Sequence, residues 1–237
     1  MIKGARLFLT VLSVLMFLPV FTEAKEVGLV VQLKGDATIQ RKSSSLKVSL
    51  KDDIKVEDKA MTADRSRLKI LFDDDSLLTL GENSMVVVKE YYYSNDKQKG
   101  KSVFQLVDGK LKSLVRGTDL EIHTPTAVIA ARGTYFKVWM ETVDGSPVTN
   151  IIVFEGFVEV FNVDPVITGM VTFEPGTMGK VFKNSAPSSP VPAPVDIPGD
   201  RMQEIPEGDD GVAPLILPIE GQQPVGNTPV RIRVKIP

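Results

Sequence analysis

The amino-acid sequence predicts an all-β fold, arranged as a β-sandwich or as a short β-solenoid of many short strands. Runs of β-branched and aromatic residues alternate in polarity, which is the pattern of strands with one buried face. Turn residues interrupt these runs at intervals of roughly 8–12 residues, a spacing typical of all-β domains. Helical periodicity is nearly absent between residues 27 and 182, where we expect at most a single helical turn, at 62–67.

The first half of the chain predicts successive strands joined by tight turns. Residues 28–33 are followed, after a glycine-containing turn, by a second strand at 37–41. Residues 67–72 alternate with period two, and Asp73-Asp74-Asp75 then predicts a solvated turn. A calcium loop is not expected there, because the spaced ligands of an EF-hand are missing. Residues 86–93 are β-branched and aromatic, and one of their three tyrosines should face the core.

The second half predicts further hairpins. Asp108-Gly109, one of the strongest short hairpin signals, separates two strand-like runs. Residues 120–123 and 135–140 each alternate in polarity, as strands with one buried face do. Another hairpin is expected at Glu155-Gly156, and the last strand is expected near 180–182.

The N-terminal segment, 1–24, differs from the β-rich region that we expect over 25–184. Lys3 and Arg6 precede an apolar run of about 15 residues, short of the roughly 20 residues that a membrane-spanning helix needs. Small residues then precede position 25. We therefore expect a cleaved export signal and a mature product without an integral membrane segment. Its expected location is the periplasm, with secretion or surface association as alternatives.

Composition changes again at residue 185. Eleven of the 16 prolines lie between there and the C-terminus. We expect 185–237 to be a mostly disordered Pro-rich tail, because it cannot bury enough apolar surface to offset chain entropy. Residues 230–236 nevertheless alternate as a strand does. The alternative is a terminal strand over 229–236 that adds to an exposed sheet edge, of this chain or of a partner.

Composition also excludes several kinds of chemistry. With no Cys and a single His, His123, the chain lacks thiol nucleophiles, zinc–thiolate centres and multi-histidine sites, and we expect no metal and no cofactor. With a net charge of −2, the chain lacks the excess of positive charge that nucleic-acid-binding proteins use to bind phosphates. Residues 25–116 nevertheless hold 18 basic and 14 acidic residues. These lysines either solvate strand faces or meet an acidic polymer or an anionic membrane surface.

Six segments form an ordered set of motifs: 31–39, 61–80, 104–111, 122–136, 153–160 and 174–176. The most specific is 122–136, which reads IHTPTAVIAARGTYF. Taken in order, the motifs resemble the extracytoplasmic FecR domain over roughly residues 27–184. Asp75 stands where that family usually has a glycine, so this turn departs from the family pattern. The resemblance implies a FecR-like β-sandwich or short β-solenoid.

The resemblance also implies a non-enzymatic module of the bacterial cell envelope. Sensor members of the family add a cytoplasmic anti-sigma segment, a membrane helix and a signalling domain that meets an outer-membrane transporter. Here the expected export signal leads almost directly into the β-rich region. We therefore expect a stand-alone exported form without anti-sigma or transmembrane segments, and we do not carry iron sensing or anti-sigma activity over to it.

Three residues are candidates for binding: Arg132, Tyr92 and Trp139. Arg132 offers five donors, which could bind loop carbonyls, a carboxylate such as Glu155, or a partner. Tyr92, within the run 91–93, could form a stacking platform for sugars or peptides with Trp139 and Tyr135; the alternative role of these rings is in the core. The residues expected to form structural turns are Thr124, Pro125, Gly133, Thr134 and Gly156.

No residue set predicts catalysis, and His123 beside Glu121 forms at most a pH-sensitive pair. We expect binding or scaffolding in the envelope, including a part in envelope signalling, with a protein or a glycan as partner. One alternative is a glycan-processing enzyme that uses acidic residues such as Glu155 and Glu159. Another is a structural component of a surface assembly, with the tail docked to a neighbour.

Overall fold

The computed structural model describes residues 25–97, 99–116 and 118–194. In these ranges the chain forms eighteen strands and one short 3-10 helix, Asn95–Lys97, so the predicted all-β class is confirmed. The strands are β1 (Glu26–Lys34), β2 (Ala37–Arg41), β3 (Ser44–Lys47), β4 (Asp53–Lys55), β5 (Lys59–Thr62), β6 (Arg67–Phe72), β7 (Leu77–Leu80), β8 (Met85–Ser94), β9 (Lys99–Asp108), β10 (Lys110–Leu114), β11 (Asp119–His123), β12 (Ala127–Ala131), β13 (Tyr135–Val143), β14 (Ser146–Glu155), β15 (Val158–Asn162), β16 (Met170–Phe173), β17 (Thr177–Phe182) and β18 (Val191–Pro192).

The strands form two sheets of nine. The first sheet has the order β18-β17-β14-β13-β10-β7-β6-β1-β4, and the second has the order β16-β15-β12-β11-β9-β8-β5-β2-β3. Neighbouring strands pair antiparallel, except β9 and β11, which pair parallel. Apart from the edge strands β4 and β3, which lie outside β1 and β2, strand numbers rise from one end of each sheet to the other. The fold therefore combines a two-sheet sandwich with the stepwise advance of a solenoid.

The hydrophobic core lies between the two sheets. Strand β6 shows the rule: Leu68, Ile70 and Phe72 are buried, while the residues between them are half-exposed. The Phe72 ring, from the first sheet, stacks on Tyr91 of the second sheet at 5.6 Å between centroids and contacts Phe104 at 4.9 Å. Each such side chain contributes roughly 1.5–3 kcal/mol by burial, so this face of each strand is held inward.

The turn at residues 73–75 is not a solvated tip throughout, and that expectation was wrong for Asp74. Asp74 is only 4% exposed. Its carboxylate accepts hydrogen bonds from the Ser76 amide at 3.2 Å, from the Ser76 hydroxyl at 3.0 Å and from the Thr118 hydroxyl. These donors replace the water that a carboxylate needs when it leaves solvent. Asp75 has a φ of 61°, a conformation that Asp tolerates better than most residues and glycine adopts freely.

The loop at 62–67 also differs from expectation, since it contains a turn at Asp64-Arg65 and not a turn of helix. At the other end of the domain, the first sheet continues past residue 184. Strand β18 pairs with β17, and Pro192 is tolerated there because β18 is an edge strand. The expected signal at 1–24 and terminal strand at 229–236 lie outside the described residues. Within the described ranges, no helix has the length and apolarity to cross a bilayer.

Candidate binding face and the joint at 122–136

The segment 122–136 forms a joint between the two sheets. Thr124 directly follows β11, and its hydroxyl oxygen accepts a hydrogen bond from the Ala127 amide at 2.8 Å. The hydroxyls of Thr124 and Thr126 each lie 2.6 Å from the hydroxyl of Thr149 on β14. All three threonines are buried. Exposed Pro125 lies between the first two, so this corner ties the second sheet to the first through side-chain oxygens.

The second half of the joint is a pair of tightly packed turns. Gly133 and Gly156 have φ values of 60° and 74°, a region that glycine enters without strain. A Cβ atom on Gly156 would lie 2.8 Å from the Gly133 carbonyl oxygen. The Thr134 hydroxyl lies 3.0 Å from the Arg132 carbonyl and 2.8 Å from the Phe157 carbonyl, to either of which it can donate. Both turns therefore depend on each other's backbone.

The three candidate binding residues do not come together. Arg132 pairs with Asp119 at 3.4 Å, and both side chains are about two-thirds exposed; no bond joins Arg132 to Glu155 among the described contacts. Tyr92 is 62% exposed on β8 of the second sheet. Trp139 lies on β13 of the first sheet. A platform that combines Tyr92 with Trp139 is therefore not formed.

The first sheet carries a row of lysines that sequence reasoning did not single out. In register across four neighbouring strands, Lys69 of β6 is opposite Thr79 of β7, Thr79 is opposite Lys112 of β10, and Lys112 is opposite Lys137 of β13. These side chains alternate with core residues, so they lie on the outer side of the sheet. We call this surface, defined by Lys69, Lys112 and Lys137, the basic face.

Aromatic rings flank the basic face. The Lys112 ammonium lies 5.1 Å from the ring centroid of Tyr135 and 4.9 Å from that of Phe154. The Lys137 ammonium lies 5.2 Å from the ring of Trp139. Attraction between a cation and the ring face, on the order of 0.5–2 kcal/mol, holds both lysines in place. Lys112 is only 6% exposed, so Lys69 and Lys137, which are more exposed, are the members that a ligand can reach.

Lys69 lies near two other positive charges. Burial lowers the pKa of Lys69, and the nearby positive charges of Arg67 and Lys112 lower it further. One carboxylate, that of Glu141, lies beside Trp139. The Trp139 indole donates to Glu141 at 2.9 Å, and this bond is the main reason that the pKa of Glu141 is lowered.

The geometry gives little support to acidic catalysis. Glu155 ends β14 in the first sheet, whereas Glu159 lies on β15 in the second, so the two are not neighbours on one face. Among the described residues, no group of three or more His, Cys, Asp and Glu side chains could hold a metal ion.

The fold and the joint define this part of the chain as an all-β domain of two progressively wound sheets. A comparison with family models identifies the family: the model described as "FecR protein" matches residues 58–159. This stretch is therefore a FecR domain, and the expected family is confirmed. The match contains the joint and all three lysines of the basic face.

Two comparisons with individual proteins add context. Two crystal structures of a candidate anti-sigma factor from Parabacteroides distasonis ATCC 8503 each align with a TM-score of 0.45 and 12% identity, over 57% of this chain and 59% of that chain. The aligned part thus spans less than two thirds of that protein. A comparison with curated proteins gave no match.

Proposed function

We propose that this chain is an exported, non-enzymatic FecR-domain protein that binds an acidic component of the bacterial cell envelope through the basic face. The observation that carries the proposal is the placement of Lys112 directly opposite Lys137 on adjacent strands, with Lys69 in the same row. Lysines gathered in one row on a sheet make a positively charged surface, which attracts anionic partners.

A bound anion would interact favourably with this row. The pKa of Lys69 is lowered first by burial and then by the positive charges of Arg67 and Lys112, so a carboxylate, sulfate or phosphate that binds the row would stabilise the charged form. The rings of Tyr135 and Trp139 beside the lysines add flat apolar surface. Together these groups suit a polymer that carries both anionic and apolar parts, such as an acidic glycan or an acidic stretch of protein.

The setting of this activity is part of the proposal. The apolar N-terminal run followed by small residues supports export, which would place the domain in the periplasm, with a secreted or surface-attached form as the variant. In that setting the domain scaffolds or signals by holding an envelope component. The charge of the basic face then serves recognition and the rate of association more than raw affinity.

The test measures binding of the mature chain, residues 25–237, to two defined probes. Poly-glutamate represents an acidic protein and polygalacturonate represents an acidic glycan. Lys69→Gln combined with Lys137→Gln removes two charges from the basic face. As a matched control, Lys59→Gln combined with Lys89→Gln removes two charges from the second sheet.

We expect at least one probe to bind, with affinity that falls as salt rises. The basic-face double variant should bind about tenfold more weakly, equivalent to about 1.4 kcal/mol, and the control should bind like wild type. Equal losses in both variants, or no binding of either probe at low ionic strength, would refute the proposal. Circular dichroism of both variants verifies that the fold is intact.

A further inference from the structure

The four edge strands of the two sheets differ in how they are protected from pairing with other chains. An edge strand presents unpaired backbone groups, and monomeric proteins protect such edges with charges or proline. Strand β3 carries Lys47, β4 carries Asp53 and Lys55, and β18 contains Pro192. The fourth edge, β16, reads Met-Val-Thr-Phe and contains neither a charge nor a proline. Among the edges of the described fold, β16 is the one whose strand has neither of these two devices, and we call it the unprotected edge.

The hairpin that contains β16 also concentrates exposed apolar side chains. Fourteen large hydrophobic residues are exposed in the described chain, and five of them lie within residues 157–170, although this is a short part of the domain. These five are Phe157 (55%), Phe161 (37%), Val163 (40%), Val166 (84%) and Met170 (52%). Phe161 and Met170 are directly opposite each other in the register of β15 and β16. The side chains of these two residues therefore form one apolar patch at the edge of the sheet.

The loop between β15 and β16 holds this patch in a fixed shape. The Asp164 amide donates to the Asn162 side-chain oxygen at 2.8 Å, and the Val166 amide donates to the Asp164 carboxylate at 2.9 Å. The Ile167 amide closes the turn by donating to the Asp164 carbonyl at 3.0 Å. Val166, the most exposed of the five apolar residues, is therefore presented by a hydrogen-bonded turn.

We propose that β16 is a homodimer interface, in which β16 of a second copy pairs antiparallel with it about a two-fold axis. Antiparallel pairing of a strand with its own copy is an isologous contact, which closes after two subunits. Because β16 is uncharged, the copies meet without like-charge repulsion. A strongly charged partner strand would find no counter-charge on β16. The same symmetry brings the apolar patches of both copies to one interface, where their burial adds to the backbone hydrogen bonds.

The dimer interface is separate from the basic face. The basic face belongs to the interior strands β6, β10 and β13 of the first sheet, whereas β16 ends the second sheet. Dimerisation would therefore give each particle two basic faces. A polymer that contacts both would bind with increased avidity. The dimer itself does not rest on the proposed function, because it follows from the edge and the patch alone.

Analytical ultracentrifugation of the mature chain tests the dimer directly. We expect a dimer at about 100 µM protein, with a Kd in the micromolar range. Thr172→Lys adds a charge at an exposed position of β16 and should weaken dimerisation at least tenfold. Ser45→Lys adds the same charge to β3, which Lys47 already protects, and should leave the Kd unchanged. A wild-type monomer at this concentration, or equal effects of the two variants, would overturn the proposal.

A second measurement uses the cysteine-free background. A single cysteine at Val171 or Thr172 places thiols near the two-fold axis, where oxidation forms an intermolecular disulfide if the Cβ atoms approach to about 4 Å. We expect rapid formation of linked dimers from at least one of these variants and no linkage from Ser45→Cys. If none of the β16 cysteines links, or if an extended peptide of another protein occupies the edge of a monomer, the proposal is wrong.

Discussion

The two glycines of the joint allow one prediction to be worked through from geometry. Gly133 and Gly156 both have positive φ, at 60° and 74°. A Cβ atom at Gly133 would meet nothing within 4 Å, whereas one at Gly156 would lie 2.8 Å from the Gly133 carbonyl oxygen and 2.9 Å from the Thr134 hydroxyl oxygen. Alanine at the two positions therefore separates backbone strain from steric overlap.

Strain alone sets the expected effect of Gly133→Ala. Placing an L-residue in the left-handed region costs roughly 1–2 kcal/mol. Gly156→Ala adds an overlap with backbone, which no rotamer change can relieve, and overpacking of this kind costs about 1–3 kcal/mol. We therefore expect losses of about 1–2 kcal/mol for Gly133→Ala and about 2–5 kcal/mol for Gly156→Ala.

Urea unfolding of the mature chain, followed by circular dichroism, measures both free energies of unfolding. The slope of free energy against urea should stay unchanged, because the surface exposed on unfolding is the same. In thermal unfolding the difference between the variants corresponds to about 2–4 °C for each kcal/mol in a domain of this size. Equal losses in the two variants would refute the interlocking of the turns.

Three further predictions concern charged groups. Asp58 is 1% exposed and binds the Arg41 guanidinium through both carboxylate oxygens, at 2.8 and 2.6 Å, so Asp58→Ala should lower the free energy of unfolding by about 3 kcal/mol, measurable by urea titration. The pKa of Glu141 is lowered, mainly by the Trp139 indole, so the stability from this bond is present above pH 4.5 and is lost as the pH falls through the lowered value. Trp139→Phe should therefore differ from wild type in unfolding free energy at neutral pH, and this difference should shrink in acid; a constant difference would contradict the assignment. Because burial and like charges lower the pKa of Lys69, Lys69→Met should stabilise the free protein by up to about 1 kcal/mol in thermal unfolding while it weakens polyanion binding, and a loss of stability would contradict the repulsion.

Local pattern was enough to predict the strands and several turns. The alternation of residues 67–72 placed Leu68, Ile70 and Phe72 in the core correctly. Asp108-Gly109 marked a true hairpin, with Gly109 at a φ of 85°. These features depend on neighbours in the chain, whose chemistry the sequence shows directly.

The basic face could not be predicted in the same way, because it depends on the register of strands far apart in sequence. Lys69 and Lys112 are 43 positions apart in the sequence, and only the pairing of β6, β7 and β10 places them in one row. Asp74 was misread for a related reason. Its buried partner Thr118 lies on a distant loop, so a run of three aspartates looked like an exposed turn.

The stepwise order of strands in both sheets has a consequence for the nascent chain. Most paired strands lie within three strands of each other in chain order, so each new hairpin finds its neighbour already present when it emerges. Synthesis proceeds from the N-terminus, and nearby pairings close their loops at low entropic cost. The sheets can therefore lengthen in the direction of synthesis, and the last strands to arrive are those that include the unprotected edge β16. Before those strands are synthesised, the temporary edge of each sheet is a strand that will be interior in the finished fold, and the next segment of the same chain pairs with it.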